Sequence, residues 1–111
     1  MEKIMKSIDT TLNVIGSFII DDKGKLLYNT ISSDIKPYEI KTISNAIMQT
    51  AKGIEDIGYK IEGFDIFYSK GVLASRNIGK GFVVVLCSKG VNFPLLNLLL
   101  NVAVVKLKKI L

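Results

Sequence analysis

The spacing of apolar positions alternates between helical and strand-like along the chain, and these changes mark out its elements. Ile4, Met5, Ile8 and Leu12 recur at helical spacing with Glu2, Lys3, Lys6 and Asp9 between them, so residues 2–12 predict a short amphipathic helix. Val14 to Ile20 is β-rich, almost wholly apolar and too short for a helix before Asp21, which predicts a central strand covered on both faces. Asp21-Asp22-Lys23-Gly24 predicts a turn with Gly24 at positive φ, and Lys25 to Ile31 predicts the returning strand.

Ser32, Ser33 and Asp34 offer capping side chains, and Pro37 suits only the first turn of a following helix. Because Pro37 disfavours helical geometry at Lys36, the capping residue stays open. Ile40, Ile43, Ile47, Ala51 and Ile54 then recur every three or four residues, predicting a long helix to about Lys52 with Gly53 or Gly58 as its left-handed cap. Three runs follow: Ile61 to Ser69, Val72 to Ile78 and Phe82 to Cys87. Short glycine-containing connections join them, predicting an antiparallel meander. Asn92 as cap and Pro94 in the first turn open a last helix. Its leucines and valines surround the axis and leave only Asn97 and Asn101 as a polar stripe, predicting burial on more than one side. Lys106, Lys108 and Lys109 complement the dipole at its end.

The order helix, strand, strand, helix, three strands, helix predicts an α/β fold, a three-layer sandwich of five antiparallel strands with helices on both faces. No linker or repeat divides residues 1–111, so they are read as one domain.

Composition narrows the function. The chain has no histidine, which removes imidazole bases, Ser-His-Asp and Cys-His sites and nearly every ordinary zinc site. The expectation is a non-enzyme with no cofactor and no metal. One cysteine excludes an internal disulfide framework and fits a reducing compartment. Val91 to Val105, the longest greasy stretch, is short for a bilayer span and contains Pro94, Asn97 and Asn101, so a cytoplasmic location is expected. Residues 1–56 carry seven lysines against eight acids, whereas residues 57–111 carry eight basic residues against two acids. That imbalance fits solvated lysines, or else an acidic partner or an anionic surface.

Each candidate chemical group has a plainer account. Cys87 ends an apolar strand with nothing to activate it and reads as a buried, inert thiol. Asp21 and Asp22 read as turn residues, since the hairpin lacks the further oxygen ligands of a cation site. Gly79-Lys80-Gly81 has neither the spacing nor the Ser/Thr of a phosphate loop and reads as a hairpin. Arg76, the only arginine, reads as an outward-facing strand residue, and Asn97 with Asn101 as a solvated stripe. The aromatics sit in strand patterns that want burial, which argues against nucleic acid as a partner.

Three stretches together resemble the Roadblock family, the dynein light chain and GTPase-regulator domain, over about residues 4–110. They are Val14-Ile15-Gly16-Ser17-Phe18-Ile19-Ile20-Asp21 with Gly24 in the hairpin, Ile78-Gly79-Lys80-Gly81-Phe82-Val83-Val84-Val85-Leu86, and Asn92 before the leucine-rich last helix. Phe93-Pro94 departs from the small residue and glycine that the family more often places after the asparagine. The resemblance implies sheet order 2-1-5-4-3, with the long middle helix on one face and the first and last helices on the other.

It also implies dimerisation through the third strand and middle helix, giving one continuous ten-stranded sheet. The third strand is compatible with that, placing Phe64, Ile66 and Tyr68 on one face and Ile61, Asp65 and Phe67 on the other. So apolar an edge is an aggregation hazard when open, and pairing with a second copy across a two-fold axis covers it. Ile43, Ile47, Thr50, Phe64, Ile66 and Tyr68 are the expected dimer-interface residues. The implied function is that of a homodimer that binds a small Ras-like GTPase or serves a motor or trafficking complex. Two other readings are a longin- or profilin-like membrane-trafficking subunit with peripheral membrane contact, and a small-molecule sensor domain with a pocket between sheet and helix.

Overall fold

Two hydrophobic cores, one on each face of a single sheet, organise the chain. The computed structural model describes residues 1–32 and 34–111, so the capping role considered for Ser33 lies outside the described residues. The elements are α1 (Glu2–Asp9), β1 (Val14–Asp21), β2 (Leu26–Asn29), α2 (Pro37–Asp56), β3 (Gly63–Tyr68), β4 (Gly71–Asn77), β5 (Gly81–Ser88) and α3 (Phe93–Ile110). The strands pair antiparallel in the order β2-β1-β5-β4-β3, as the family resemblance implies.

The continuous apolar runs of β1 and β5 place them at the centre, where alternate side chains enter opposite cores. Under α2, Ile40, Ile47 and Ala51 pack with Phe18, Ile20, Leu73, Val84 and Leu86. Under α1 and α3, Met5, Ile8, Leu96, Leu100, Ala103 and Leu107 pack with Ile19, Ala74, Val83, Val85 and Cys87. Each such fully buried large side chain contributes about 1.5–3 kcal/mol, which is what fixes the helices on the sheet.

Helix ends differ from the sequence reading in instructive ways. α1 stops at Asp9 because the hydroxyls of Thr10 and Thr11 donate back to the carbonyls of Lys6 and Ser7 at 2.8 and 2.6 Å. Leu12, counted in the helical stripe, therefore lies outside it and is 82% exposed. The Asp9 carboxylate accepts hydrogen bonds from Ser17 (2.6 Å), Tyr28 (2.9 Å) and Thr30 (3.1 Å), tying the end of α1 to the β1–β2 hairpin. At the start of α2, neither Ser32 nor Asp34 is the cap. Pro37 holds Lys36 extended at the N-cap position, and the Glu39 carboxylate accepts from the Lys36 N–H at 3.3 Å. α2 runs through Gly53 to Asp56, and Gly58, at φ +94°, takes the left-handed position that follows.

The largest correction concerns α3. Asn92 caps it as expected, its side chain accepting from the Leu95 N–H at 3.1 Å. Within this chain, however, only one side is buried. Leu95, Leu98, Val102 and Val105 lie on the outer side, half exposed, because no element among the described residues covers that layer. Ile61 is a smaller one. It precedes β3, escapes the strand alternation and joins the core under α2 instead of the face of Asp65 and Phe67.

Candidate functional site

The two margins of the sheet are unequal. β2 has four residues, and its register with β1 slips between Ile19 and Ile20. β3 has six residues in unbroken register with β4, from Gly63 opposite Arg76 to Tyr68 opposite Gly71. Short, irregular strands are how proteins blunt a sheet edge, and β3 has neither feature. Ile66, Phe67 and Tyr68 stand 49%, 66% and 45% exposed on it, so apolar side chains project from both its faces.

The backbone of β3 also has unspent hydrogen-bonding capacity. The Asn77 N–H donates to the Glu62 carbonyl at 2.7 Å. Bonded pairs alternate along an antiparallel ladder, so Phe64, Ile66 and Tyr68 direct their N–H and C=O groups at β4. Gly63, Asp65 and Phe67 direct theirs away from the sheet. The β4–β5 ladder agrees: the Ile78 N–H donates to the Gly81 carbonyl at 3.0 Å, which reserves Ser75 and Leu73 for β3.

On the α2 side, Ile43, Ile47, Thr50, Phe64 and Ile66 line one shallow cavity of about 150 Å³, together with Ala46 and Leu73. Ile47 forms its floor, only 3% exposed and part of the core of its own chain. Ile43 and Phe64 are half-buried, while Thr50 and Ile66 are open. Tyr68 lies beyond this cavity, at the β3–β4 turn.

The opposite side of β3 carries charge. Arg76, expected to face outward, reaches across from β4 and grips Asp65 with both guanidinium nitrogens, at 2.6 and 3.3 Å. Its Nη2 also donates to Asn97 Oδ1 at 3.0 Å, so Asn97 is a fixed acceptor and not part of a solvated stripe. Asn101 is exposed, as expected. The side chains of Arg76 and Asp65 are 14% and 25% exposed, and such bidentate geometry is the strong form of an Arg–carboxylate pair. Gly63 makes room for it. A Cβ there would stand 2.7 Å from Arg76 Cδ and collide with the Ser75 carbonyl. Phe67, next along the same face, packs on Phe93 at the start of α3 with ring centroids 5.3 Å apart and planes tilted by 60°.

Phe67, Phe93 and the Arg76–Asp65–Asn97 chain were absent from the expected site. The alternation of β3 places Phe67 on its face, but only the structure shows that the ring stays two-thirds open to solvent despite its contact with Phe93.

The remaining candidate groups have structural roles. Cys87 is buried, and burial pushes its thiol up to about 11, which keeps it protonated near neutral pH. Asp21 accepts from the backbone N–H groups of Lys25 and Lys23 at 2.8 and 2.9 Å, and these bonds, the Lys25 one foremost, hold its carboxyl below the usual value. Gly79 at φ +88° turns the β4–β5 hairpin. Among the described residues, no group of three or more His, Cys, Asp and Glu side chains is placed to hold a metal ion. Among them, too, no helix is long and apolar enough to cross a membrane.

The sequence matches no family profile and no curated protein. Solved structures do match. MglB of Myxococcus xanthus superposes with a TM-score of 0.76 at 18% identity, covering 97% of this chain and 88% of that one. A Roadblock/LC7 domain from Streptomyces avermitilis superposes at 0.81 with 10% identity, covering 98% and 95%. The gliding protein MglB of Thermus thermophilus superposes at 0.81 with 14% identity, covering 97% and 85%. Superposition over nearly the whole chain at these TM-scores makes the likeness one of fold: the protein has the Roadblock/LC7 fold.

Proposed function

We propose that this protein is a non-catalytic homodimer, joined through β3 and α2, that regulates or scaffolds a small Ras-like GTPase or a motor or trafficking complex. The observation that carries the reading is the open margin of β3. Six residues in regular register offer free backbone groups and three half-exposed large apolar side chains. The Roadblock resemblance supplies the GTPase, and the match to Roadblock/LC7 and MglB structures supports it at the level of fold. A dimer of this kind needs no catalytic side chain of its own. Contact that favours one conformation of a GTPase's switch segments is enough to alter turnover or exchange.

The test is a pull-down from native lysate with tagged protein, with and without a non-hydrolysable GTP analogue, beside light scattering of the purified protein. Recovery of a small Ras-like GTPase and a dimeric mass are expected. Eluates free of such GTPases in both nucleotide conditions overturn the partner, and a monomeric mass at all concentrations overturns the dimer.

A further inference from the structure

We infer that the two β3 strands of the dimer pair about Asp65, which lies on the two-fold axis, so that the two Arg76–Asp65 pairs meet there. This rests on the dimer proposed above and adds the register and the residues that set it.

The backbone narrows the choice first. Only Gly63, Asp65 and Phe67 direct N–H and C=O groups outward, as the Glu62–Asn77 bond and the β3–β4 register require. An antiparallel strand pairing with its own copy has three symmetric registers that set at least two of these residues opposite one another, centred on Phe64, Asp65 or Ile66. Centring on Asp65 sets Gly63 against the partner's Phe67, Asp65 against the partner's Asp65, and Phe67 against the partner's Gly63. It engages all the outward groups of β3, whereas either neighbouring centre leaves one of these residues without a counterpart among them.

Side chains favour the same register. On the α2 side it sets Phe64 directly opposite the partner's Ile66, an aromatic against a β-branched residue, which is a favourable cross-strand pair. On the α3 side it lays the partner's Phe67 ring over Gly63, the one position of β3 without a side chain to clash. Arg76 is the β4 neighbour of Gly63, and its Cδ lies 2.7 Å from where a Gly63 Cβ would be. The partner's ring therefore arrives beside a guanidinium, a contact that is attractive in its own right.

Two carboxylates facing each other across the axis would repel. Here each arrives already gripped by its own Arg76, at 2.6 and 3.3 Å, so the axis carries two arginines and two aspartates with no net charge. The ion pair that looks merely structural in one chain thus makes the self-pairing of β3 electrostatically tolerable.

Disulfide trapping with one introduced cysteine distinguishes the registers. Opposed Cα atoms in an antiparallel ladder lie about 4.5–5.5 Å apart, within disulfide reach, and a residue faces its own copy only at the centre of the pairing. Under mild oxidation Asp65→Cys is expected to give a covalent dimer, while Phe64→Cys and Ile66→Cys alone do not. Unmodified protein gives none, since Cys87 is buried. A second measurement leaves Asp65 and Arg76 intact: differently tagged Phe64→Cys and Ile66→Cys chains, mixed, are expected to form the mixed disulfide. Preferential self-trapping of Phe64→Cys or Ile66→Cys, with no mixed product, overturns this register and leaves the dimer standing. A monomeric mass for the unmodified chain overturns the dimer itself.

Discussion

Truncating Ile66 to alanine measures how much the open margin contributes to assembly. Ile66 is 49% exposed in the single chain. Burying a whole isoleucine side chain contributes about 1.5–3 kcal/mol, so the surface that a second copy still covers is worth about 1 kcal/mol per protomer. Symmetry counts it twice, about 2 kcal/mol per dimer, equivalent to about a 30-fold rise in dissociation constant. Ile66→Asp does more, because in the proposed register it would place a charge against the partner's Phe64, and is expected to give monomer or aggregate. The assay is sedimentation velocity over a concentration series, with a thermal melt to show that the half-exposed side chain takes little fold stability with it. Leu27→Ala is the control, since Leu27 is 38% exposed on β2 at the other margin and is expected to leave association unchanged. A shift below threefold for Ile66→Ala, or an equal shift for Leu27→Ala, refutes the assignment of β3 as the joining edge.

Arg76→Ala leaves the half-buried Asp65 carboxylate unpaired and is expected to cost about 1–3 kcal/mol in chemical denaturation and to weaken the dimer. Adding Asp65→Asn to the same chain should restore much of the association, and a double variant no better than the single one counts against repulsion at the axis. Leu100→Ala empties a fully buried site between α3 and the sheet and should cost about 2–5 kcal/mol, read from the denaturation midpoint. Tyr28 supplies a pH test. Burial first, then its bond to the Asp9 carboxylate, raises its folded value from 10.0 to about 12. The neutral form is the one the fold favours, so this contribution is complete below about pH 10 and is lost as pH rises towards 12. The stability difference between the natural chain and Tyr28→Phe should therefore narrow over that window, and a constant difference refutes it.

Much of this fold was legible because its central strands have little choice. Val14 to Ile20 and Phe82 to Cys87 are too short to be helices and too greasy to be edges, so they must be covered on both faces. Gly24 and Asn92 announce turn and cap chemistry in the same local way. What escaped depended on relations between distant residues. The only polar stripe of α3, Asn97 and Asn101, is too narrow to mark which side is inward, so complete burial and a half-open helix read alike until the outer layer is seen to be uncovered. The Arg76–Asp65 grip depends on the β3–β4 register, which alternation within one strand does not supply. The early end of α1 rests on two threonine hydroxyls competing with backbone geometry, whereas apolar spacing alone carries Leu12 into the helix. Of the expected site residues, Ile43, Thr50, Phe64 and Ile66 share one concavity because helical and strand periods both point them there. Ile47 has the same period but one step deeper, and its own chain claims it.

The inequality of the two sheet margins bears on how far assembly can proceed. A sheet that is open at one margin only can take on one neighbour by strand pairing, after which neither member has an open margin left. Had β2 been as long and regular as β3, each added copy would have exposed a fresh place for the next, and the chain would be a monomer for filament growth. In the proposed dimer the four-residue β2 and the register slip beside Ile19 and Ile20 would act as a terminator, so that strand addition stops at two copies.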